Sequence, residues 1–196
     1  MFNRSKYGKL LKILMIIILI AIIGIAVGIG YKAYNSYYIA IGAAEAVSKF
    51  EETVKSAMNV TTKYKEFTVI GTIQIPDINL KYPILQENKA DALKTAPVLM
   101  YTSQGLNNAG NSVITGHNYR DGNMFSDLGK LIKGNYIYIT DTIGRSIKYK
   151  VYNIYEDSGE NNSYITRNTN GKTEITLSTY NSKNKAKIII FAKAEQ

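Results

Sequence analysis

The sequence predicts a mainly β domain, a small barrel or sandwich with little helix, carried on an N-terminal membrane helix. Three observations predict it. Residues 13–31 read ILMIIILIAIIGIAVGIGY and hold no charge. From residue 66 onward, short runs rich in Val, Ile, Thr and Tyr alternate with breaks containing Asn, Gly, Ser and Pro, the composition of strands and turns. Helical spacing of apolar residues is concentrated in the stretch between these regions.

The elements follow in order. As a helix, residues 13–31 would span about 28 Å, close to the roughly 30 Å hydrocarbon core of a bilayer. A cleaved signal peptide has an apolar region of about 7–15 residues and a small-x-small cleavage site. This run is longer, rich in Ile and without such a site, so it is expected to remain as a signal anchor. Arg4, Lys6, Lys9 and Lys12 precede it and Lys32 alone closely follows. Positive flanks stay inside, so residues 1–12 are expected in the cytoplasm and the bulk of the chain outside the cell.

Residues 32–65 are expected to form a helical stalk, because Ile39, Ala43, Val47, Phe50, Val54 and Met58 recur at spacings of three and four. Two or three heptads are too few for a coiled coil, so the stripe is expected to pack on the following domain. Residues 66–196 are that domain. Strands are expected at 68–75, 78–85, 111–115, 136–140, 146–155, 173–178 and 187–192, with Pro83 marking an edge or bend. A short helix is expected over 124–132, loops over 107–111 and 157–171, and a polar turn at 181–184.

Composition narrows the chemistry. The 196 residues include no Cys and one His. That excludes a disulfide framework, thiolate metal sites, a cysteine nucleophile and any site built from two imidazoles. The net charge of +9 is partly the flank of the apolar run. Elsewhere the charges intermix and no basic block is interleaved with aromatics, so nucleic acid is not expected as a partner. Glu156, Asp157 and Glu160 lie close in sequence but read as a solvated loop; no metal and no cofactor are expected.

Two segments could carry chemistry. His117 stands where the apolar run 111–115 ends, and strand ends are where side chains reach clefts. The motif TLSTY at 176–180 puts hydroxyls on a strand, with Ser178 on the face of Tyr180 and Thr179 on the other. Spacing alone does not bring them to His117.

At these segments the chain resembles the sortases. TGHN at 115–118, followed by DGNMFSDL at 121–128, resembles their histidine segment, closest to class B. TLST at 176–179 resembles the TLxTC segment that carries their catalytic cysteine, and IQIPDINL at 73–80 with YPI at 82–84 resembles their opening strands. The resemblance covers about residues 66–194 and implies a closed β-barrel with short helices. It also implies, in an intact member, a Cys that attacks a sorting-signal peptide and forms a thioacyl enzyme. An amine of the cell wall or of another protein then resolves it, with a His as acid or base and an Arg on the oxyanion. Carried onto this chain, the His is His117, the Cys position is Tyr180 and the Arg position is Lys187, with Lys185 as a substitute. Asn118, Ser178 and Thr179 would contact substrate.

Both changes have a chemical cost. A phenol is ionised to about one part in a thousand at pH 7, against a few per cent for an ordinary thiol. Lys keeps the charge but loses the planar fork that binds an oxyanion at two points. Class B members also carry a long helical insertion before the Cys-bearing strand, whereas residues 157–171 are short and polar. The resemblance therefore implies a membrane-anchored, extracellular, non-catalytic relative in a Gram-positive envelope. It would bind a sorting-signal peptide, a pilin-like substrate or an active sortase. The alternatives are an enzyme using Tyr180 or Ser178 as nucleophile with His117, and a structural envelope module.

Overall fold

The computed structural model describes residues 4–56, 61–119, 121–158, 161–181 and 185–195. Met58, Glu160, residues 182–184 and the side chains of Arg4 and Lys6 lie outside the described part. The chain divides into two compact units, residues 1–38 and 39–196.

In the first unit the described residues belong to helix α1 (Arg4–Lys55). Its large apolar side chains between Ile13 and Ile29 are all at least 50% exposed. A helix that is apolar all round is unstable facing water. Among the described residues it is the one helix long and apolar enough to cross a membrane.

The second unit opens with the C-terminal part of α1, which packs on the domain as its spacing predicts. Ala43, Ala46 and Phe50 join the main hydrophobic core, and burying a ring such as that of Phe50 stabilises by about 1.5–3 kcal/mol. The Tyr64 hydroxyl donates to the Ile39 carbonyl at 3.3 Å, and Lys81 pairs with Glu51 at 2.8 Å. Helix α1 ends at Lys55, and Lys63–Tyr64 already form a strand, β1.

Eight strands close the barrel: β2 (Phe67–Ile75), β3 (Leu80–Leu85), β4 (Val98–Thr102), β5 (Gly110–Thr115), β6 (Tyr136–Asp141), β7 (Ser146–Asp157), β8 (Thr173–Asn181) and β9 (Ala186–Ala194). Their order is β2-β3-β4-β5-β8-β9-β7-β6, and β6 returns to β2. Closure removes the sheet edges that would otherwise invite pairing with another chain. It runs through Gly71, where an added Cβ would meet the Thr140 carbonyl oxygen at 2.7 Å. Most pairs are antiparallel, but β5 and β8 run parallel, Thr115 beside Ser178. A helix α2 (Ala90–Thr95) carries the chain between the parallel strands β3 and β4.

The helix expected over 124–132 is not formed. Met124, Phe125, Leu128 and Leu131 are buried at nearly helical spacing, which is why the segment reads as a helix. Met124 instead has φ of 48° and bridges to Asn118, and the Phe125 N–H bonds the His117 carbonyl at 3.0 Å. Only Leu128–Lys130 keep one 3-10 turn.

Candidate functional site

Strands β5, β8 and β9 bring the sequence-predicted residues to one end of the sheet. Ser178 and Thr179 tie β8 to the end of β5. Thr115 Oγ1 donates to the Ser178 carbonyl at 3.0 Å, Ser178 Oγ donates to Thr115 Oγ1 at 3.0 Å, and Thr179 Oγ1 donates to the Gly116 carbonyl at 2.7 Å. The Gly116 N–H also bonds the Ser178 carbonyl at 3.2 Å. The parallel register ends at Thr115–Ser178, and His117 lies two residues beyond the end of β5. On the other side, Tyr180 is the register partner of Lys187. Tyr180 and Lys187 are thus paired on adjacent strands, and His117 follows the end of the strand on the other side of β8. Lys185 lies before β9 begins.

Side-chain chemistry differs among these three residues. Tyr180 is 52% exposed, so its ring projects outward. Lys187 Nζ donates to Asn162 Oδ1 at 3.0 Å. The His117 ring stacks on Tyr119, centroids 5.0 Å apart and planes at 28°. Tyr119 is itself fixed by donating to the Lys94 carbonyl at the end of α2, 3.0 Å away. Burial, and then the positive charge of Lys94, hold the His117 pKa below its ordinary value. Among the described residues, no hydrogen bond joins the His117 ring to Tyr180 or Lys187. Gly116 makes the approach possible, since a Cβ there would lie 2.8 Å from the Phe125 ring.

Ser178 and Thr179 are buried and their hydroxyls are used within the sheet, while Asn118 sits in the bridge to Met124. Sequence reasoning did not single out Asn162, Tyr164 or Arg167. The Arg167 guanidinium grips Glu174 and also reaches Tyr152 at 3.1 Å, Asn111 at 3.2 Å and Thr176 at 3.4 Å. Burial and the bond to Glu174 push the Tyr152 hydroxyl up to about 12. Among the described residues, no three His, Asp or Glu side chains gather where they could hold a metal.

A closed eight-stranded barrel with a TLxT strand paired in parallel with the strand that leads to a histidine is the architecture that the sortase resemblance implies. Residues 73–195 match the family profile described as the Sortase domain, and the chain belongs to the sortase family. It is 32% identical over 112 residues to sortase A of Bacillus anthracis, covering 57% of this chain and 51% of that one. The chain therefore spans about half the length of this curated relative. Among solved structures it is similar to sortase A from Corynebacterium diphtheriae, with 28% identity, a TM-score of 0.59, 67% of this chain and 62% of that one. The fold also resembles that of Clostridium perfringens sortase C solved with the C-terminal cell wall sorting motif. There the identity is 21%, the TM-score 0.58, and the coverage 78% of this chain and 87% of that one. The relatives named here are of classes A and C.

Proposed function

We propose that the chain is a membrane-anchored sortase-family protein that recognises a sorting-signal peptide without performing thiol transpeptidation. The observation that carries this reading is the pairing of Tyr180 on β8 with Lys187 on β9, a phenol and an amine where the family resemblance implies a thiol and a guanidinium. With no Cys in the chain, no thioacyl intermediate can form. A non-thiol nucleophile is disfavoured by the same geometry. Ser178 is 4% exposed and directs its proton to Thr115. Tyr180 is accessible, but the His117 ring lies against Tyr119. The ligand class follows from the family, as with the sorting motif bound by the Clostridium perfringens enzyme. A pilin-like protein would present such a motif, and an active sortase could be the consumer of a peptide held here. Class B ancestry, a Gram-positive envelope and an extracellular position belong to this same proposal.

The test is cleavage and binding of a panel of sorting-signal peptides by the full chain in detergent micelles. Wild type is expected to bind at least one peptide and cleave none. Tyr180→Cys combined with Lys187→Arg is expected to cleave the peptide that wild type binds. Turnover by wild type that disappears in His117→Ala would overturn the proposal and favour an oxygen nucleophile. Silence and absence of binding from all forms would leave a structural envelope module.

A further inference from the structure

Where the apolar run ends, helix α1 carries four tyrosines in eight residues: Tyr31, Tyr34, Tyr37 and Tyr38. All four are more than half exposed, Tyr31 the most at 73%. Single exposed aromatics are ordinary, but three of these touch one another. The Tyr34 and Tyr38 ring centres lie 4.4 Å apart, and the Tyr37 and Tyr38 rings meet edge to face at 6.2 Å. At about 100° per residue, the four tyrosines fall within a sector of about 120°. Lys32 and Ser36 fall on the opposite side of the helix. The tyrosines therefore make one aromatic face and not a ring around the helix.

A helix that fills the hydrocarbon core up to Tyr31 holds its next residues in the headgroup zone, roughly 5–7 Å deep on each side. Tyr31 to Tyr38 rise about 10 Å, so rings standing straight out would overshoot that zone. Side chains of an α-helix instead tilt toward its N-terminus. The apolar run is N-terminal to the tyrosines, so every ring leans back toward it, whichever side of the membrane the domain occupies. A phenol suits that boundary, with its ring among the upper acyl carbons and its hydroxyl among carbonyls and water. Lys32 is the one charged residue between Tyr31 and Tyr38, and it lies off the face. Interfacial anchors set how a spanning helix tilts, and a one-sided set favours tilt toward its own side.

We propose that Tyr31, Tyr34, Tyr37 and Tyr38 form a lipid-binding face that lies against the headgroup boundary of the bilayer, with Lys32 and Ser36 turned to water. The partner is the carbonyl and glycerol layer common to phospholipids and not an anionic headgroup, because the face carries no cation of its own. The face gives the anchor a preferred tilt and a preferred side, which spanning length alone does not. This inference rests on the membrane-anchored reading.

The chain contains no Trp, so a single Trp introduced at one position is an unambiguous reporter. The full chain is reconstituted in phosphatidylcholine vesicles whose lipids are brominated either near the glycerol or near the chain ends. Iodide on both sides of the membrane is the aqueous quencher. Tyr34→Trp and Tyr37→Trp are expected to be quenched by the shallow bromines at least about threefold more than by the deep ones. Ser36→Trp stands between them in height but on the other face, and iodide should quench it at least about threefold more than either. Equal iodide quenching of Ser36→Trp and Tyr37→Trp would overturn the proposal, since height alone would then set exposure. Protection of Tyr34→Trp and Tyr37→Trp from iodide and from both bromines would also overturn it, because protein and not lipid would cover the face. Ile22→Trp, at the middle of the run, separates the anchor from the face. If deep bromines quench it while the tyrosine positions meet only iodide, the anchor stands and the lipid-binding face falls. If no lipid quenches Ile22→Trp, both fall.

Discussion

His117 is the chain's one histidine, so its imidazole protons are resolved in an NMR spectrum without assignment. Burial is the larger cause of its depressed pKa and Lys94 the smaller. The titration midpoint is therefore expected below 6.5. Tyr119→Ala, which uncovers the ring, should raise the midpoint more than Lys94→Ala does. A midpoint at or above 6.5 in wild type would show that the stacked, half-buried ring is not the solution state. Because the folded-state pKa lies below the unfolded one, the unfolded chain binds the extra proton first. The stability tied to neutral His117 is complete above the unfolded value and is lost as pH falls from there through the folded value. At this scale the sequence was partly legible. The family resemblance pointed to His117, Tyr180 and Lys187, and the strand register pairs Tyr180 with Lys187. It could not reveal that the Ser178 and Thr179 hydroxyls are consumed by Thr115 and Gly116, because their partners lie more than sixty residues away. Asn162 and Tyr164 were hidden for a related reason. A Tyr in a polar loop carries no periodicity, and its burial exists only once the loop folds back on the sheet.

Elements show the same division. The long β-branched runs declared themselves, since a strand buried on one or both faces needs the alternation or continuity those residues supply. Strand β4 did not, because VLMYT follows a short helix and a Pro with too few residues to establish a period. The segment 124–132 misled because apolar spacing reports which side chains are buried, while the carbonyl of His117 decides the backbone path. Two predictions belong here. Arg167→Ala is expected to cost about 3 kcal/mol, because it leaves Glu174, with a side chain only 8% exposed, as a buried charge without its partner. Arg167→Ala with Glu174→Gln should recover part of that loss in urea unfolding followed by circular dichroism. An Arg167→Ala cost below about 0.5 kcal/mol would mean that the pair is solvated like an ordinary surface bridge. Gly71→Ala should cost about 2 kcal/mol or more, since its Cβ would press on the Thr140 carbonyl of the strand that closes the barrel. That backbone atom cannot yield without opening the β2–β6 ladder. Full stability of Gly71→Ala would show that the closing strands are looser than this contact implies.

For the whole molecule, the ligands within reach depend on which side of a membrane the barrel occupies. Two facts bear on it and neither is a property of the barrel. The large apolar residues between Ile13 and Ile29 are exposed all round the helix, an arrangement that water disfavours and lipid favours. Lys9 and Lys12 lie on one flank of the run and Lys32 alone lies close on the other. Each Lys or Arg at a juxtamembrane position near an anionic cytoplasmic leaflet is worth about 1 kcal/mol. The imbalance thus favours a cytoplasmic N-terminus. The expected outcome is that a membrane-impermeant amine reagent applied to intact cells labels barrel lysines such as Lys148 and Lys150 and leaves Lys9 and Lys12 unmodified, as read by peptide mass mapping. Labelling of Lys9 and Lys12 with the barrel protected would reverse the orientation. Orientation set by flanking charge also has to be movable. Replacing Arg4, Lys6, Lys9 and Lys12 with Gln while adding Lys at Asn35 and Ser36 should turn a measurable fraction of chains around. If it does not, the folding barrel rather than the flank decides the side, and the positive flank is only a solubilising end. A barrel held outside would meet secreted peptides rather than cytosolic ones.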